Sequence, residues 1–347
     1  MTSFKFIAFS SIALFFLACG GDADPAKFFD IQLEAGKKVF QVNQAVAVDI
    51  QNKKNLAIDK ITYSIDGNEL RYSGNKITLD IPKLGDKILK ARVDYDGNSV
   101  EITEKIRVLA DKVPEIYTYE IINEYPHDIE AFTQGLEFYN DTLYEGTGKN
   151  GNSWLRKVAY TTGGVIGQID LEKSFFGEGI TVFKEKIYQL TWHGKIGFVY
   201  DLKTFEKTGS FQYGNSKEGW GLCNDGEKLY KSDGTEKIWI LNPETLVEED
   251  YIQTVTNKSI FNKANELEYV NGKIYANVWQ KESMMIIDAQ SGAIEGVINF
   301  GGLKAHVKQH DKLDVLNGVA YHPGRKTFFV TGKYWDKLFE VNIKKKE

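Results

Sequence analysis

A repeated strand-turn-strand pattern constrains the fold of this chain more than any other feature of its sequence. Five segments each combine an apolar strand, a short polar turn and an apolar-aromatic strand, and they begin at Gln134, Glu178, Trp220, Asn265 and Asn317. Their first residues lie 44, 42, 45 and 52 positions apart. Periods of roughly 40 to 50 residues are typical of one four-stranded blade of a β-propeller. The sequence therefore predicts an all-β chain with a five-bladed β-propeller over residues 115–347.

The same periodicity is also compatible with an extended solenoid. A solenoid needs polar capping repeats at its ends, whereas a closed ring of blades leaves no long exposed strand edge. The sequence contains no segment that reads as a cap, so closure is favoured.

Residues 28–112 show a different pattern, with short alternating runs such as Val46–Ile50, Ile61–Ile65 and Ile77–Ile81 separated by turn signals. About seven short strands predict a small β-sandwich, immunoglobulin-like at best, because no Trp or Cys pins its subtype. Pro114 marks the boundary, since proline is poorly placed within a paired strand.

The first residues read as an export signal. Lys5 is followed by a mainly apolar run from Phe6 to Leu17, which is too short to span a bilayer. The sequence around Cys19 resembles the lipobox of bacterial lipoproteins. We therefore expect residues 1–19 to be a signal peptide ending at a lipidated Cys19, residues 20–27 to be a tether, and the protein to be anchored in the bacterial cell envelope.

Net charge and cysteine count limit the partners and the source of stability that we expect. The net charge is −5, and the longest basic run is the three lysines that precede the terminal Glu347. Nucleic acid is therefore an unexpected partner. If Cys19 carries lipid, Cys223 has no intramolecular partner, so stability must come from packing rather than from disulfides. We expect Cys223 to be a small buried hydrophobe and the protein to be a monomer.

Aligning the repeats identifies positions whose chemistry varies on a constant scaffold. The first position of each repeat holds Gln134, Glu178, Trp220, Asn265 or Asn317, and glycine follows in four of the five copies. If the repeats superpose, these five side chains form a ring at one end of the innermost strands. This end of the channel is where we expect a ligand to bind.

A second set faces this ring from the end of the next strand of the repeat. Trp192, Trp279 and Lys333 occupy this place, and Phe132 and Phe176 stand two residues before ring positions. Singly, each has a plain structural interpretation: the tryptophans as plugs, Glu178 as an acceptor of backbone N–H groups, and Lys333 as a solvated surface residue. Their convergence on one mouth favours a site. His306 and His310 have metal-ligand spacing, but they lie in a polar insertion that favours a solvated loop.

Several segments resemble the plant and bacterial glutamine cyclotransferase family, the papaya-enzyme type. The resemblance covers nearly all of residues 116–347 and is carried by these motifs: HDIEAFTQGLEF from His127, LYEGTG from Leu143, FGEGIT from Phe176, IYQLTW from Ile187, GFVYD from Gly197, GWGL from Gly219, NELEYVNGKIYANVWQ from Asn265 and DVLNGVAY from Asp314. The chain departs from the family at Cys223, where threonine is usual, and at Gly146, where serine is common.

The resemblance implies a metal-independent glutaminyl-peptide cyclotransferase without a cofactor, acting on peptides and proteins with an amino-terminal Gln. It implies that Glu178 is the catalytic proton shuttle. Its pocket residues fall on Phe132, Gln134, Phe176, Trp192, Trp220, Asn265, Trp279 and Lys333. Of these, Gln134, Asn265 and Lys333 are expected to hold the carboxamide oxygen, and the aromatic residues to line the pocket.

Two other functions are compatible with the same pattern. A binding propeller without catalysis would capture a peptide amino terminus or a sugar in the aromatic pocket. In a surface scaffold, the sandwich domain would carry the function and the propeller would be degenerate. The intact Glu178, Asn265 and Lys333 argue against degeneracy.

Overall fold

The computed structural model describes residues 24–346, and β-strands dominate them. The only helical segments in this range are short 3₁₀ turns at Pro25–Phe28, Glu34–Gly36 and Leu303–His306. Within residues 24–346, no helix has both the length and the apolar character needed to cross a membrane. The predicted signal peptide, Cys19 and the first half of the predicted tether lie outside the described residues.

The amino-terminal part contains nine strands in two sheets. One sheet has the order β1-β3-β7-β6 and the other β2-β9-β8-β4-β5. The bounds are β1 Phe29–Leu33, β2 Val39–Gln41, β3 Ala45–Asn52, β4 Ile58–Ile65, β5 Asn68–Glu69, β6 Tyr72–Ser73, β7 Lys76–Thr78, β8 Gly85–Tyr95 and β9 Asn98–Leu109.

Alternation along these strands buries one face of each sheet. In β3, Val46, Val48 and Ile50 are buried while Asp49 and Gln51 point outward. The inward side chains of both sheets form one hydrophobic cluster. This is the pattern that a two-residue period produces when a strand is half-buried.

The rest of the chain consists of consecutive antiparallel strands that pair in groups of four. Three groups form separate sheets. The remaining two groups, which consist of β10 and the last seven strands of the chain, share one sheet with the order β23-β24-β25-β26-β10-β29-β28-β27. The region begins with β10 Glu115–Pro126. The next eight strands are β11 Thr133–Tyr139, β12 Thr142–Thr147, β13 Trp154–Ala159, β14 Gly164–Asp170, β15 Gly177–Phe183, β16 Lys186–Thr191, β17 Ile196–Asp201 and β18 Lys207–Gln212. The others are β19 Leu222–Asn224, β20 Leu229–Ser232, β21 Lys237–Leu241, β22 Glu248–Gln253, β23 Ala264–Val270, β24 Lys273–Val278, β25 Ser283–Asp288, β26 Ile294–Asn299, β27 Leu316–His322, β28 Thr327–Gly332 and β29 Lys337–Lys345.

Strand β10 joins the beginning of this region to its end. It pairs antiparallel with β29, the last strand of the chain, from Tyr117 to Pro126. At its start it also runs parallel to β26. The fifth group of four strands is therefore completed by a strand from the other end of the region.

The first strands of the five groups contact one another in cyclic order: β11 with β15, β15 with β19, β19 with β23, β23 with β27, and β27 with β11. Their backbones approach very closely at the glycine of each repeat. A Cβ atom on Gly221 would lie 2.0 Å from the backbone oxygen of Asn265, and one on Gly179 would lie 2.6 Å from that of Trp220. The repeated glycine is thus required by the close approach of neighbouring strands.

In the fourth repeat Glu266 replaces this glycine. Its carboxylate accepts hydrogen bonds from the backbone N–H groups of Leu136 (3.2 Å) and Val319 (2.9 Å), which belong to two other first strands. The buried Glu266 side chain therefore ties three of the five innermost strands together.

The amino-terminal sheets dock against a hairpin-like segment, residues 254–261, that precedes β23. Val255 is fully buried in the hydrophobic cluster of those sheets. Gln41 Nε2 donates to the backbone oxygen of Asn257 (2.9 Å), and Gln253 Oε1 accepts from the Asp86 N–H (2.7 Å). The two parts of the chain thus share buried apolar contacts as well as hydrogen bonds.

Candidate active site

The predicted ring residues lie where the first strands depart from regular pairing. The register between the first and second strands shifts at Gln134, at Glu178, at Asn265 and at Asn317. Such β-bulges turn a side chain out of the regular alternation. They explain how four polar residues on apolar strands present their side chains together at one end of the five first strands.

Four of the ring residues are almost completely buried. Gln134 and Glu178 are each 4% exposed, Asn265 is 3% exposed and Asn317 is fully buried. Trp220 lies just before β19 and is half-buried. Burying polar groups in this way costs free energy unless they are hydrogen-bonded, so their partners decide what the site does.

A hydrogen-bonded chain connects three ring residues from three neighbouring first strands. Asn317 Nδ2 donates to the Thr133 backbone oxygen (2.9 Å) and to Gln134 Oε1 (3.0 Å). Gln134 Nε2 in turn donates to Glu178 Oε1 (2.9 Å). Because a backbone oxygen only accepts, it fixes the orientation of the Asn317 amide, which fixes that of Gln134. The NH₂ group of Gln134 therefore faces the Glu178 carboxyl.

The Glu178 carboxyl has an unusual affinity for protons. Burial raises its pKa well above the usual value of a glutamate, and the nearby negative charge of Glu218 raises it further. The positive charge of Lys333 and the hydrogen bond from Gln134 oppose this shift. A buried carboxyl whose pKa is raised, with one cation and one anion nearby, is a candidate for proton transfer.

Lys333 lies in the turn after β28 and is only 4% exposed, so the plain interpretation of a solvated surface lysine is wrong. Its Nζ sits 4.6 Å from the centroid of the Phe132 ring. Burial lowers the Lys333 pKa, while the charge of Glu178 works in the opposite direction. Within residues 24–346 its ammonium group makes no hydrogen bond or ion pair, and so its donors are available to a ligand.

The five predicted aromatic residues form two contacting groups. Phe132 packs edge-on against Phe176 (6.0 Å between ring centroids), Phe176 packs against Trp192 (5.4 Å), and Trp220 packs against Trp279 (5.7 Å). We call the space that these five side chains bound the aromatic cup. With Glu178 and Lys333 it combines apolar walls with a few polar groups, as small-molecule sites usually do.

The structure adds site residues that the alignment of the repeats did not identify. Glu218 Oε2 accepts the indole N–H of both Trp192 (2.7 Å) and Trp220 (2.8 Å). Tyr334 packs against Phe132 at 5.2 Å, and Lys149 Nζ lies 4.0 Å from the centroid of the same ring. Lys263 Nζ lies 5.2 Å from that of Trp279.

Two of these residues had a signal in the sequence. Phe132 and Phe176 stand two positions before their ring residues, and Glu218 and Lys263 occupy the same position in the third and fourth repeats. Extending the alignment by those two positions would have found them.

Cys223 follows the ring on β19 and is buried with only 1% of its surface exposed. Burial raises the pKa of its thiol well above the usual value, so it is a neutral core residue as expected. In the part of the chain that the structure describes, no group of three or more His, Cys, Asp or Glu side chains is arranged to hold a metal ion.

Comparison with known proteins gives one consistent result. The family model for glutamine cyclotransferase matches residues 97–343. A curated glutaminyl-peptide cyclotransferase from Arabidopsis thaliana is 38% identical over 252 residues, which cover 72% of this chain and 75% of the relative. The crystal structure of the Myxococcus xanthus glutaminyl cyclase superposes with a TM-score of 0.63 and 33% identity, and covers 67% of this chain and 100% of that one.

Proposed function

The chain belongs to the glutamine cyclotransferase family, and we propose that it closes the amino-terminal glutamine of peptides to pyroglutamate at the aromatic cup, with Glu178 carrying the proton. The activity is that of a glutaminyl-peptide cyclotransferase. The observation that carries the assignment of the site is the buried Glu178 carboxyl, held by Gln134 and facing Lys333 within aromatic walls.

The reaction poses two problems of proton transfer. The α-amine of the substrate attacks its own side-chain carboxamide carbon, so a C–N bond forms within the new ring. The bond from that carbon to the amide nitrogen then breaks. The amine must lose a proton in order to attack, and the departing nitrogen must gain one in order to leave as ammonia.

We propose that Glu178 solves both problems. It takes the proton from the amine and returns it to the leaving nitrogen, so the enzyme ends unchanged. The reference pKa of an α-amine is about 7.7 to 8. Burial raises the pKa of Glu178 well above that of an ordinary glutamate, so this carboxyl is the stronger base towards the amine. A positioned acid-base group of this kind contributes roughly 10² to 10⁴ in rate.

The carboxamide oxygen gains negative charge as the ring closes. We propose that Lys333 donates to this oxygen, because its ammonium group is desolvated and free of other partners in the described part of the chain. Asn265 and the second N–H of Gln134 complete the set of donors. Donors held in place before the reaction begins stabilise the charge without reorganisation.

The aromatic cup selects and folds the substrate. A glutamine side chain must curl back on its own amine, and flat apolar walls favour that compact form over extended ones. The walls also exclude water, so attack by the amine outcompetes hydrolysis of the amide. We propose that no metal takes part, because Glu178 moves the proton and Lys333 supplies the positive charge.

We propose that the five groups of strands are the blades of a β-propeller. The cyclic contacts of their first strands and the pairing of β10 with β29 support this architecture. The two amino-terminal sheets, with their common hydrophobic cluster, support an immunoglobulin-like sandwich over residues 28–112 joined to a propeller over residues 115–347.

We also propose that the protein is a monomeric lipoprotein, anchored through Cys19 in the bacterial cell envelope. Its substrates would then be exported peptides and proteins with an amino-terminal Gln. The support is the lipobox-like sequence around Cys19 and the export signal before it. Labelling with a radioactive fatty acid, lost in Cys19→Ser, tests the anchor.

The test of the catalytic assignment is Glu178→Gln, which keeps the shape of the side chain but cannot carry the proton. We expect turnover of a peptide with an amino-terminal Gln to fall by at least about 10². The matched control is Glu137→Gln, another glutamate with a raised pKa, three residues beyond the ring position on β11. Equal losses in both variants would contradict the role of Glu178, and full activity of Glu178→Gln would favour a different base.

A further inference from the structure

Two walls of the aromatic cup depend on one carboxylate. Trp192 follows β16 and Trp220 precedes β19, so the two tryptophans come from different four-stranded sheets. Both indole N–H groups donate to the same oxygen, Glu218 Oε2, at 2.7 and 2.8 Å. Hydrogen bonds to an ionised acceptor are about twice as strong as those between neutral groups.

The segment that carries Glu218 is held in place by a buried ion pair. The side chains of Lys231 and Glu248 are 0% and 1% exposed, and their charged atoms lie 3.0 Å apart. Lys231 Nζ also donates to the Glu218 backbone oxygen (3.0 Å), while Glu248 Oε2 accepts from the N–H groups of Asn215 (2.6 Å) and Ser216 (2.9 Å). Breaking a buried pair of this kind is costly, so the main chain at Glu218 is firmly fixed.

We propose that Glu218 is a positioning residue for the cyclisation, which holds Trp192 and Trp220 at the separation that a curled glutamine needs. The inference rests on the proposed function, because it concerns the same cup. Glu218 acts through the two indole rings, and its other oxygen lies 3.6 Å from His193 Nδ1 at the edge of the site.

Packing between aromatic rings does not join the two indoles directly. Trp192 contacts Phe176 and the stacked His193, and Trp220 contacts Trp279, so the two indoles belong to separate aromatic groups. Glu218 is the link between the two groups within the described part of the chain. Without it, no hydrogen bond joins the two indoles, and the width of the cup depends on packing within each group.

The test compares Glu218→Ala with Glu218→Gln, using a peptide with an amino-terminal Gln. We expect kcat/KM of Glu218→Ala to fall about tenfold to a hundredfold, largely through a higher KM, because two charge-assisted hydrogen bonds are lost. Glu218→Gln retains an amide oxygen that accepts two hydrogen bonds, and we expect its KM to stay within about threefold of that of the parent. Glu227→Gln, in an exposed turn, is the matched control.

A double-mutant cycle separates positioning from any direct contact with substrate. Trp192→Phe/Trp220→Phe keeps two aromatic walls but removes both N–H donors, so adding Glu218→Ala to it should change KM by less than about twofold. An undiminished effect of Glu218→Ala in that background would overturn the inference, as would an unchanged KM of Glu218→Ala alone. Absence of turnover in the unaltered protein would instead contradict the proposed function. A failure of the inference about Glu218 and a failure of the proposed function therefore give different results.

Discussion

At the scale of single residues, the site is governed by how two buried charges and one partly exposed charge influence one another. Glu178 and Lys333 are both buried, and each opposes the effect of burial on the pKa of the other. Glu218 adds a negative charge that raises the pKa of Glu178. The proton affinity of Glu178 is therefore the sum of competing effects, and removing either neighbour should move it in a known direction.

Lys333→Met tests this balance, because methionine keeps the apolar stem and removes the charge. We expect kcat/KM to fall by about 10² or more, as for the loss of one donor to a developing oxyanion. The ionisation of Glu178 in the dependence of kcat/KM on pH should move to higher pH, since the Lys333 charge lowers its pKa. Lys312→Met, at an exposed lysine paired with Glu130, is the control. A profile that stays in place, or moves to lower pH, would contradict the account.

The predictability of the site differs from residue to residue for physical reasons. Glu178, Gln134 and Asn265 were found by aligning the repeats, because a repeat fixes the position of a side chain in space and leaves only its chemistry free. Glu218 occupies the same repeat position as Phe132 and Phe176, but the sequence gives no sign that its carboxylate accepts the N–H groups of both Trp192 and Trp220. That Lys333 is buried could not be read from its surroundings in the sequence.

At the scale of elements, three of the five first strands, β11, β15 and β27, combine a polar ring residue with a glycine that allows close approach. The bulges at the ring residues were not predicted, because a bulge is a property of the pairing between two strands and leaves the sequence pattern of either strand almost unchanged. The glycine itself was visible as a repeated position. The structure explains why glycine is required there: a Cβ on Gly221 would lie only 2.0 Å from the Asn265 backbone oxygen.

Gly221→Ala is predicted to destabilise the fold through this contact. The clash is with backbone, which cannot turn away, so we expect a loss of about 3 kcal/mol in the free energy of unfolding. Gly209→Ala, on the outer strand β18 with no atom within 4 Å of the added Cβ, should be nearly neutral. Urea unfolding of both variants measures the difference, and equal midpoints would show that the first strands are less closely packed than described.

At the scale of the whole molecule, several glutamates with raised pKa values lie on the first strands of the repeats. Burial raises the pKa of Glu137 to about 7 and raises those of Glu266 and Glu268 well above the usual value. Glu268 is raised further by the charge of Glu137. Burying these carboxyl groups costs more free energy when they are ionised than when they are neutral. The stability of the whole chain therefore depends on pH.

The free energy of unfolding should therefore decrease as pH rises from about 5.5 to about 8. Between the unfolded pKa, 4.5, and the folded value of about 7, the folded chain holds a proton on Glu137 that the unfolded chain releases. Glu137→Gln removes the ionisable group. We therefore expect the difference in the free energy of unfolding between the two pH values to shrink by up to about 2 kcal/mol. Thermal or urea unfolding at both values measures it. A pH dependence that Glu137→Gln leaves intact would contradict the assignment.

The repeat also limits what the sequence could say about the whole chain. Strands, turns and the order of the groups followed from periodicity, whereas the docking of the amino-terminal sheets did not. That contact includes Val255, one apolar residue among many, which packs into the hydrophobic cluster of those sheets. Contacts between parts of a chain have no period, and for this reason the sequence does not reveal them.

The most direct measurement of the central claim is mass spectrometry of a peptide with an amino-terminal Gln, incubated with the protein lacking residues 1–19 in the presence of EDTA. We predict the loss of one ammonia per peptide, well above the spontaneous rate, and no loss when the α-amine is acetylated. The same preparation of Glu178→Gln should leave the peptide unchanged. Folded protein that gives no turnover above the spontaneous rate with several such peptides would contradict catalysis and favour a protein that only binds amino termini.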